Sequence, residues 1–143
     1  MADFVVDSSA LVASLIPSDK FFSNGVSAVQ KILTRQKVAC ASVIVPVEVV
    51  GAIARRTGDK DNAREAILQM DKWVRLGLLE LVEVNKRRMK EAQELAVRYS
   101  IKGMDAMIIQ VSNEKSLPLL TFDEGLKAKI SGSIIRTITL LDL

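Results

Sequence analysis

Apolar and polar positions follow one another along this chain in blocks that predict strands and helices in turn. Phe4-Val5-Val6 is a short apolar run that stops at Asp7-Ser8-Ser9, residues suited to a turn and a helix N-cap. Ala10 to Ile16 continue as a helix ended by Pro17, and a polar break from Ser18 to Ser23 leads into a helix around Val26 to Arg35. Val38 to Ala41 reads as a buried strand. Ser42 can cap a helix running to about Arg56, with Pro46 in its first turn, and Thr57-Gly58-Asp59 stops it. Asn62 to Leu76 has helical spacing, with Ala66, Ile67, Met70, Trp73 and Val74 on one side and Gly77 as the stop. That spacing makes Trp73 a core residue.

Leu79 to Val84 alternates apolar and acidic residues over most of its length, which is a strand signal. Asn85 caps a helix to about Tyr99. After Gly103, Asp105 opens another, ending near Lys115. Pro118 to Thr121 is a short strand, Glu124 to Lys129 a short helix, and Ile134 to Leu140 a last strand. Strands alternating with helices predict an α/β protein, a three-layer sandwich around a central, mainly parallel sheet. The 143 residues hold no linker, repeat or low-complexity tract, so a single domain over 1–143 is expected.

Composition narrows the chemistry. Histidine is absent and cysteine occurs once, at Cys40. An intrachain disulfide, a Cys/His zinc cluster and a Ser-His-Asp triad are all excluded. Carboxylates, hydroxyls, lysine or a bound ion must carry any catalysis. No apolar stretch reaches a membrane span and no basic start precedes an apolar core, so a cytoplasmic location without membrane contact is expected. The formal charge is +3, a mild basic excess that permits a polyanionic partner without demanding one.

Four acids stand in unusual places. Asp7 and Asp123 each follow a predicted buried strand, where a parallel sheet binds its ligands. Glu48 is the only charge in the run Val43 to Val50, and a lone buried carboxylate is costly unless paired or bound to a metal. Asp105 lies in the first turn of an apolar helix, where the helix dipole favours an anion. Each has a plain alternative: Asp7, Asp105 and Asp123 suit helix caps, and Glu48 suits an ion pair with an arginine. Taken together, all four fall at strand ends or in early helical turns, which a parallel sheet gathers on one edge. Like charges in one pocket need a cation, and oxygen-only donors suit Mg²⁺ or Mn²⁺.

In order and spacing, the segments Phe4 to Leu11, Val47-Glu48-Val49, Gly103-Met104-Asp105-Ala106 and Leu119 to Asp123 resemble the PIN-domain ribonucleases, and within them the VapC-like toxins of toxin–antitoxin pairs. The resemblance spans essentially the whole chain, although 57–99 carry no signature. It implies an acidic quartet of Asp7, Glu48, Asp105 and Asp123, with Ser9 and Thr121 as the hydroxyls that orient it. Met107-Ile108-Ile109-Gln110 departs from the alanine-rich spacing that often follows the third acid in relatives. The implied activity is metal-dependent hydrolysis of RNA with Mg²⁺, or Mn²⁺, as cofactor. The implied partners are RNA, a second copy of the chain and an antitoxin. Two rivals stay open at this point: a PIN-like scaffold that binds RNA or protein without cutting, and a phosphoryl-transfer domain using Asp7 as nucleophile.

Setting the four acids aside from the total of 17 leaves 13 against 20 basic residues, a positive frame around a negative pocket. Arg55, two turns after Glu48, and Arg56 beside it are candidate substrate contacts, as is Ser112, two turns after Asp105. Helix C-terminal charge is the equal alternative for the arginines. Lys86 to Lys90, the densest basic run, reads better as a solvated face. Phe21-Phe22, in a polar stretch, suits either an interface or a cap on the core.

Overall fold

The computed structural model describes residues 1–143, apart from the side chain of Leu140. Five strands form one sheet: β1 (Phe4–Val6), β2 (Ala39–Ser42), β3 (Leu79–Val82), β4 (Leu119–Leu120) and β5 (Thr137–Ile138). The helices are α1 (Ser8–Leu15), α2 (Phe22–Leu33), α3 (Ile44–Thr57), α4 (Lys60–Arg75), α5 (Lys86–Tyr99), α6 (Gly103–Lys115) and α7 (Glu124–Ile130). Strand order is β3-β2-β1-β4-β5 and every pairing is parallel. The expected α/β sandwich with a parallel sheet is therefore the observed architecture.

The order explains the composition of the strands. β1, β2 and β4 lie inside the sheet and all their residues are buried, as expected of parallel strands covered on both faces. The edge strands β3 and β5 are only partly buried. β1 is the first strand laid down. The chain then builds outward to β2 and β3 and returns to the other flank for β4 and β5. The order reverses between β1 and β4, which places a crevice at the carboxyl ends of those two strands.

Packing of the helices follows their apolar content. Ile108 and Ile109 of α6 are fully buried, and this helix packs on β1 and β2. Gln110, in the segment that departs from the alanine-rich pattern, is also buried, and its amide donates to Glu91 Oε2 of α5 at 2.7 Å. Trp73 sits in the core. Helix ends obey local rules. Asn85 accepts from Arg88 N at 2.8 Å, Asp59 accepts from Asn62 N at 3.0 Å, and Gly58 and Gly77 take the left-handed backbone that stops a helix.

Several sequence expectations shift. Ser42 ends β2 instead of capping α3, whose N-cap is Val43 with no side-chain bond; the Ser42 hydroxyl only accepts a long 3.4 Å bond from Ile44 N. α2 begins at Phe22, inside the expected polar break, because the side of α2 that carries Gly25, Ala28, Val29 and Ile32 is buried. α6 opens at Gly103, two residues before Asp105. The last strand shrinks to Thr137–Ile138, since Asp142 accepts both the backbone N–H and the hydroxyl of Thr139 and turns the chain into a 3₁₀ helix at Leu140–Asp142.

At Gly25, α2 packs tightly on the backbone of α1. A Cβ there would stand 2.5 Å from Ser14 N and 2.8 Å from Ala13 C, which are backbone atoms that cannot give way. Gly51, in the interior of α3, would meet only the movable Arg55 guanidinium at 3.4 Å. Gly25→Ala is expected to lower stability by about 1–3 kcal/mol through overpacking. Gly51→Ala is expected to be neutral or stabilising by up to about 1 kcal/mol, as usual for glycine inside a helix. Urea unfolding of both variants checks the pair, and equal effects would remove the close-packing reason.

Candidate active site

At the reversal of strand order, Asp7 N donates to Leu120 O at 2.9 Å, continuing the β1–β4 ladder by one step. Val6 is in register with Leu120, so the next residues on each strand, Asp7 and Thr121, meet at the carboxyl edge of the sheet. Their side chains bond directly. Asp7 Oδ2 accepts from Thr121 Oγ1 at 2.6 Å and from Ser9 Oγ at 2.7 Å. Each hydroxyl has one proton, and both are spent on this oxygen, so the 3.2 Å approach of Ser9 to Thr121 is a consequence of the shared acceptor. The hydroxyls also accept: Ser9 from Phe122 N at 2.9 Å, Thr121 from Asp123 N at 3.1 Å.

Asp7 is almost fully buried and precedes α1, yet its side chain makes no cap bond to that helix. The capping alternative does not describe it. Its second oxygen, Oδ1, has only a long 3.4 Å bond from Ser8. Asp123 does cap: its Oδ1 accepts from Leu126 N at 3.0 Å at the start of α7, which occupies one of its two oxygens. Asp105 lies in the first turn of α6, half-buried, and the N-cap there is Lys102. Glu48 lies on α3, partly buried, and its Oε1 is sealed from solvent with no hydrogen-bond partner. No ion pair holds it; its closest cationic influence is the charge of Arg55.

All four carboxylates line one cleft of about 970 Å³. Burial, and then the charges of Asp7 and Asp123, push the Asp105 carboxyl above its ordinary value of 3.8, against Lys102 and Lys129. Burial pushes Glu48 above its ordinary 4.5; the Ser8 hydroxyl opposes this, while Asp7 and Asp105 add to it. The acids therefore feel one another. Among the described residues, no three His, Cys, Asp or Glu side chains stand close enough together to hold an ion as placed. The donors themselves suit a hard divalent cation: every titratable acid of the cleft offers oxygen, and one buried oxygen lacks a partner.

Arg55 and Arg56 both line this cleft, but differently. Arg56 is engaged, its Nη1 donating to Asp19 Oδ2 at 2.9 Å. Arg55 is exposed beside Glu48. Ser112 is a correction. It is buried outside the cleft, and its hydroxyl donates to Leu117 O, closing the end of α6. Two turns from Asp105 on a helix seated on the sheet leads into the core, so helical spacing alone misplaced it. The basic run on α5 also stays away from the cleft. Arg87 and Arg88 pair with Glu114, and Arg87 also with Glu91. Burial alone would raise Glu114, but the hydrogen bonds and charges of the two arginines hold its carboxyl below the ordinary value.

Sequence reasoning missed Ser8, Asp19, Lys20, Lys102, Phe21 and Phe122 as cleft residues. The position of Phe122 between Thr121 and Asp123 was a signal. Asp19 had none, because its partner Arg56 is remote in sequence.

A parallel sheet with an acidic cleft at its switch point, and hydroxyls locking the first acid, defines a class of carboxylate-centred α/β proteins. The family model for the PIN domain matches residues 4–130, and the chain belongs to that family. No curated protein matches the sequence. Solved structures are similar in fold. VapC20 of Mycobacterium tuberculosis, a toxin that cleaves the sarcin–ricin loop, is 23% identical over 87% of this chain and 93% of its own, with a TM-score of 0.68. VapBC2 of Rickettsia felis, bound to promoter DNA, is 14% identical over 94% and 97%, with a TM-score of 0.64. A toxin–antitoxin complex from Klebsiella pneumoniae is 18% identical over 90% and 91%, with a TM-score of 0.58.

The raised carboxyl of Glu48 sets a sign. A folded-state value above the unfolded one means that the fold binds this proton more tightly. Its stabilising contribution is complete below the ordinary 4.5 and is lost as pH rises through the raised folded value. In chelating buffer at pH 7.5, Glu48→Gln is expected to raise stability, because the amide keeps the shape and removes the charge that burial and then Asp7 and Asp105 disfavour. The gain should shrink towards pH 4, where the carboxyl is neutral in both states. Melting temperatures across this range check it, and a loss at pH 7.5 would mean that a partner holds the carboxylate.

Proposed function

We propose that this PIN-domain chain is a ribonuclease that hydrolyses RNA phosphodiester bonds with Mg²⁺, or Mn²⁺, held by Asp7, Glu48, Asp105 and Asp123. The single observation that carries this reading is the one cleft that all four carboxylates line, with the charge of Asp7 acting on both Glu48 and Asp105. The bound ion would supply a lowered pKa for the attacking water and neutralise charge on the phosphoryl oxygens. The protein's own residues do the rest. Ser9 and Thr121 fix Asp7 through Oδ2 and leave Oδ1 for the ion. Glu48, on the same cleft, would help to orient or deprotonate the attacking water. Arg55 contacts the phosphate backbone at the rim. Water as nucleophile, with the ribose 2′-hydroxyl uninvolved, leaves a 5′-phosphate.

The same reading makes the chain a single-domain toxin of a type II toxin–antitoxin pair, working in the cytoplasm. It acts as a homodimer, with an antitoxin peptide covering the cleft. The toxin–antitoxin assemblies among the similar folds support the antitoxin. No helix among the described residues is long and apolar enough to cross a membrane, in keeping with that location.

Purified protein is expected to cut single-stranded or structured RNA with Mg²⁺ or Mn²⁺, leaving 5′-phosphate ends. Chelator should stop the reaction, and Asp7→Asn should slow it by at least about 100-fold, the scale of losing a group that acts in the transition state. Gel assays on an RNA panel, with melting curves for the variant, check this. RNA left intact at every divalent-ion concentration would favour a binding scaffold. Covalent labelling of Asp7 by acetyl phosphate would favour phosphoryl transfer.

A further inference from the structure

One wall of the cleft is aromatic and plays no part in the carboxylate chemistry. Phe21, on the turn before α2, lines the cleft half-buried beside Phe122, with ring centroids 5.5 Å apart and planes inclined at 44°. Both residues are held through their backbone amides. Phe122 N donates to the Ser9 hydroxyl that in turn holds Asp7. Phe21 N donates to Asp19 Oδ1 at 2.8 Å, and Asp19 Oδ2 accepts from Arg56 of α3 at 2.9 Å. Arg56 is thus a positioning residue, clamping the turn that carries the ring. Phe122 thus shares a hydrogen-bonded frame with the first acid, and Phe21 packs on it.

The charges beside this wall say what it fits. Lys20 Nζ stands 5.0 Å from the Phe21 centroid, and Arg55 lines the same cleft. An apolar peptide side chain would use the ring and leave the Lys20 ammonium beside it unused. A nucleobase attached to its phosphate uses both. Lys20 is exposed, so its ammonium can leave the ring face for a phosphate as a base arrives.

Resting on the ribonuclease reading, we propose that Phe21, backed by Phe122, is a stacking surface for one unpaired nucleobase beside the scissile phosphate. The cleft then takes single-stranded or looped RNA and discriminates against continuous duplex, whose bases stay stacked inside the helix. Stacking on an aromatic ring accepts any base, so the surface selects for an unpaired nucleotide and not for a letter.

The test is binding of a short fluorescent RNA to the Asp7→Asn protein, with one abasic residue moved along the strand. Phe21→Ala is expected to weaken single-strand binding by about 5- to 150-fold, the usual range for losing one base stack. Phe21→Leu, which keeps bulk without the ring, should behave like Phe21→Ala, and Phe21→Trp should restore binding. One abasic position should weaken the Phe21 protein by a similar factor and leave Phe21→Ala unchanged. Melting temperatures must match across the set. Equal binding by Phe21→Leu and the Phe21 protein, identical abasic profiles in both, or equal affinity for duplex and single strand would each overturn the stacking surface. Cleavage by the unsubstituted chain is read separately. Intact RNA together with base-dependent binding removes the nuclease reading and keeps the surface. Cleavage unaffected by Phe21→Leu removes the surface alone.

Discussion

Two hydroxyl protons converge on one oxygen of Asp7, and the architecture of the cleft is built outward from that junction. Thr121 and Ser9 come from elements more than a hundred residues apart, and both give their only proton to Oδ2. The same hydroxyls accept the backbone N–H groups of Phe122 and Asp123, so the exit of β4 is fastened to the exit of β1. A carboxylate buried to this depth is tolerable because strong, short hydrogen bonds replace its water. The junction also orients the group. With Oδ2 saturated, Oδ1, which has only the long bond from Ser8, is the oxygen left open.

The remaining acids contrast sharply with those elsewhere in the chain. Glu114 is gripped by two arginines and Asp19 by Arg56. Asp105 and Glu48 instead face other carboxylates, and the charge of each is penalised by burial as well. A fold selected for stability alone pairs such groups or replaces them with apolar ones of similar size. Carboxyls raised by burial and by neighbouring acids at a switch point fit the ribonuclease proposed for this cleft. The basic residues around the cleft complete that picture: Arg55 and Lys20 on one flank, Lys102 and Lys129 near Asp105.

The hydrophobic pattern carried most of the element order and the acidic quartet, because both are written locally. A buried parallel strand must be apolar throughout, so an acid at its end is conspicuous; Asp7 after Phe4-Val5-Val6 and Asp123 after the β4 run stand out for that reason. Glu48 stood out as one charge in an apolar run. Ser112 shows the limit. Helical spacing put it on the face of Asp105, but α6 lies on the sheet, and two turns along that face lead into the protein.

Residue order alone therefore settled which side chains carry charge at strand ends, and that no histidine chemistry competes with them. Tertiary structure decided the rest. It chose Asp123 and not Asp7 as a helix cap, bound Arg56 to Asp19, and set Phe21 against Phe122 as a wall of the cleft. Each of these depends on contacts between segments remote in sequence, and periodicity describes only neighbours on one element. The geometry of a cleft belongs to the crossing of elements, which no single stretch of the chain encodes.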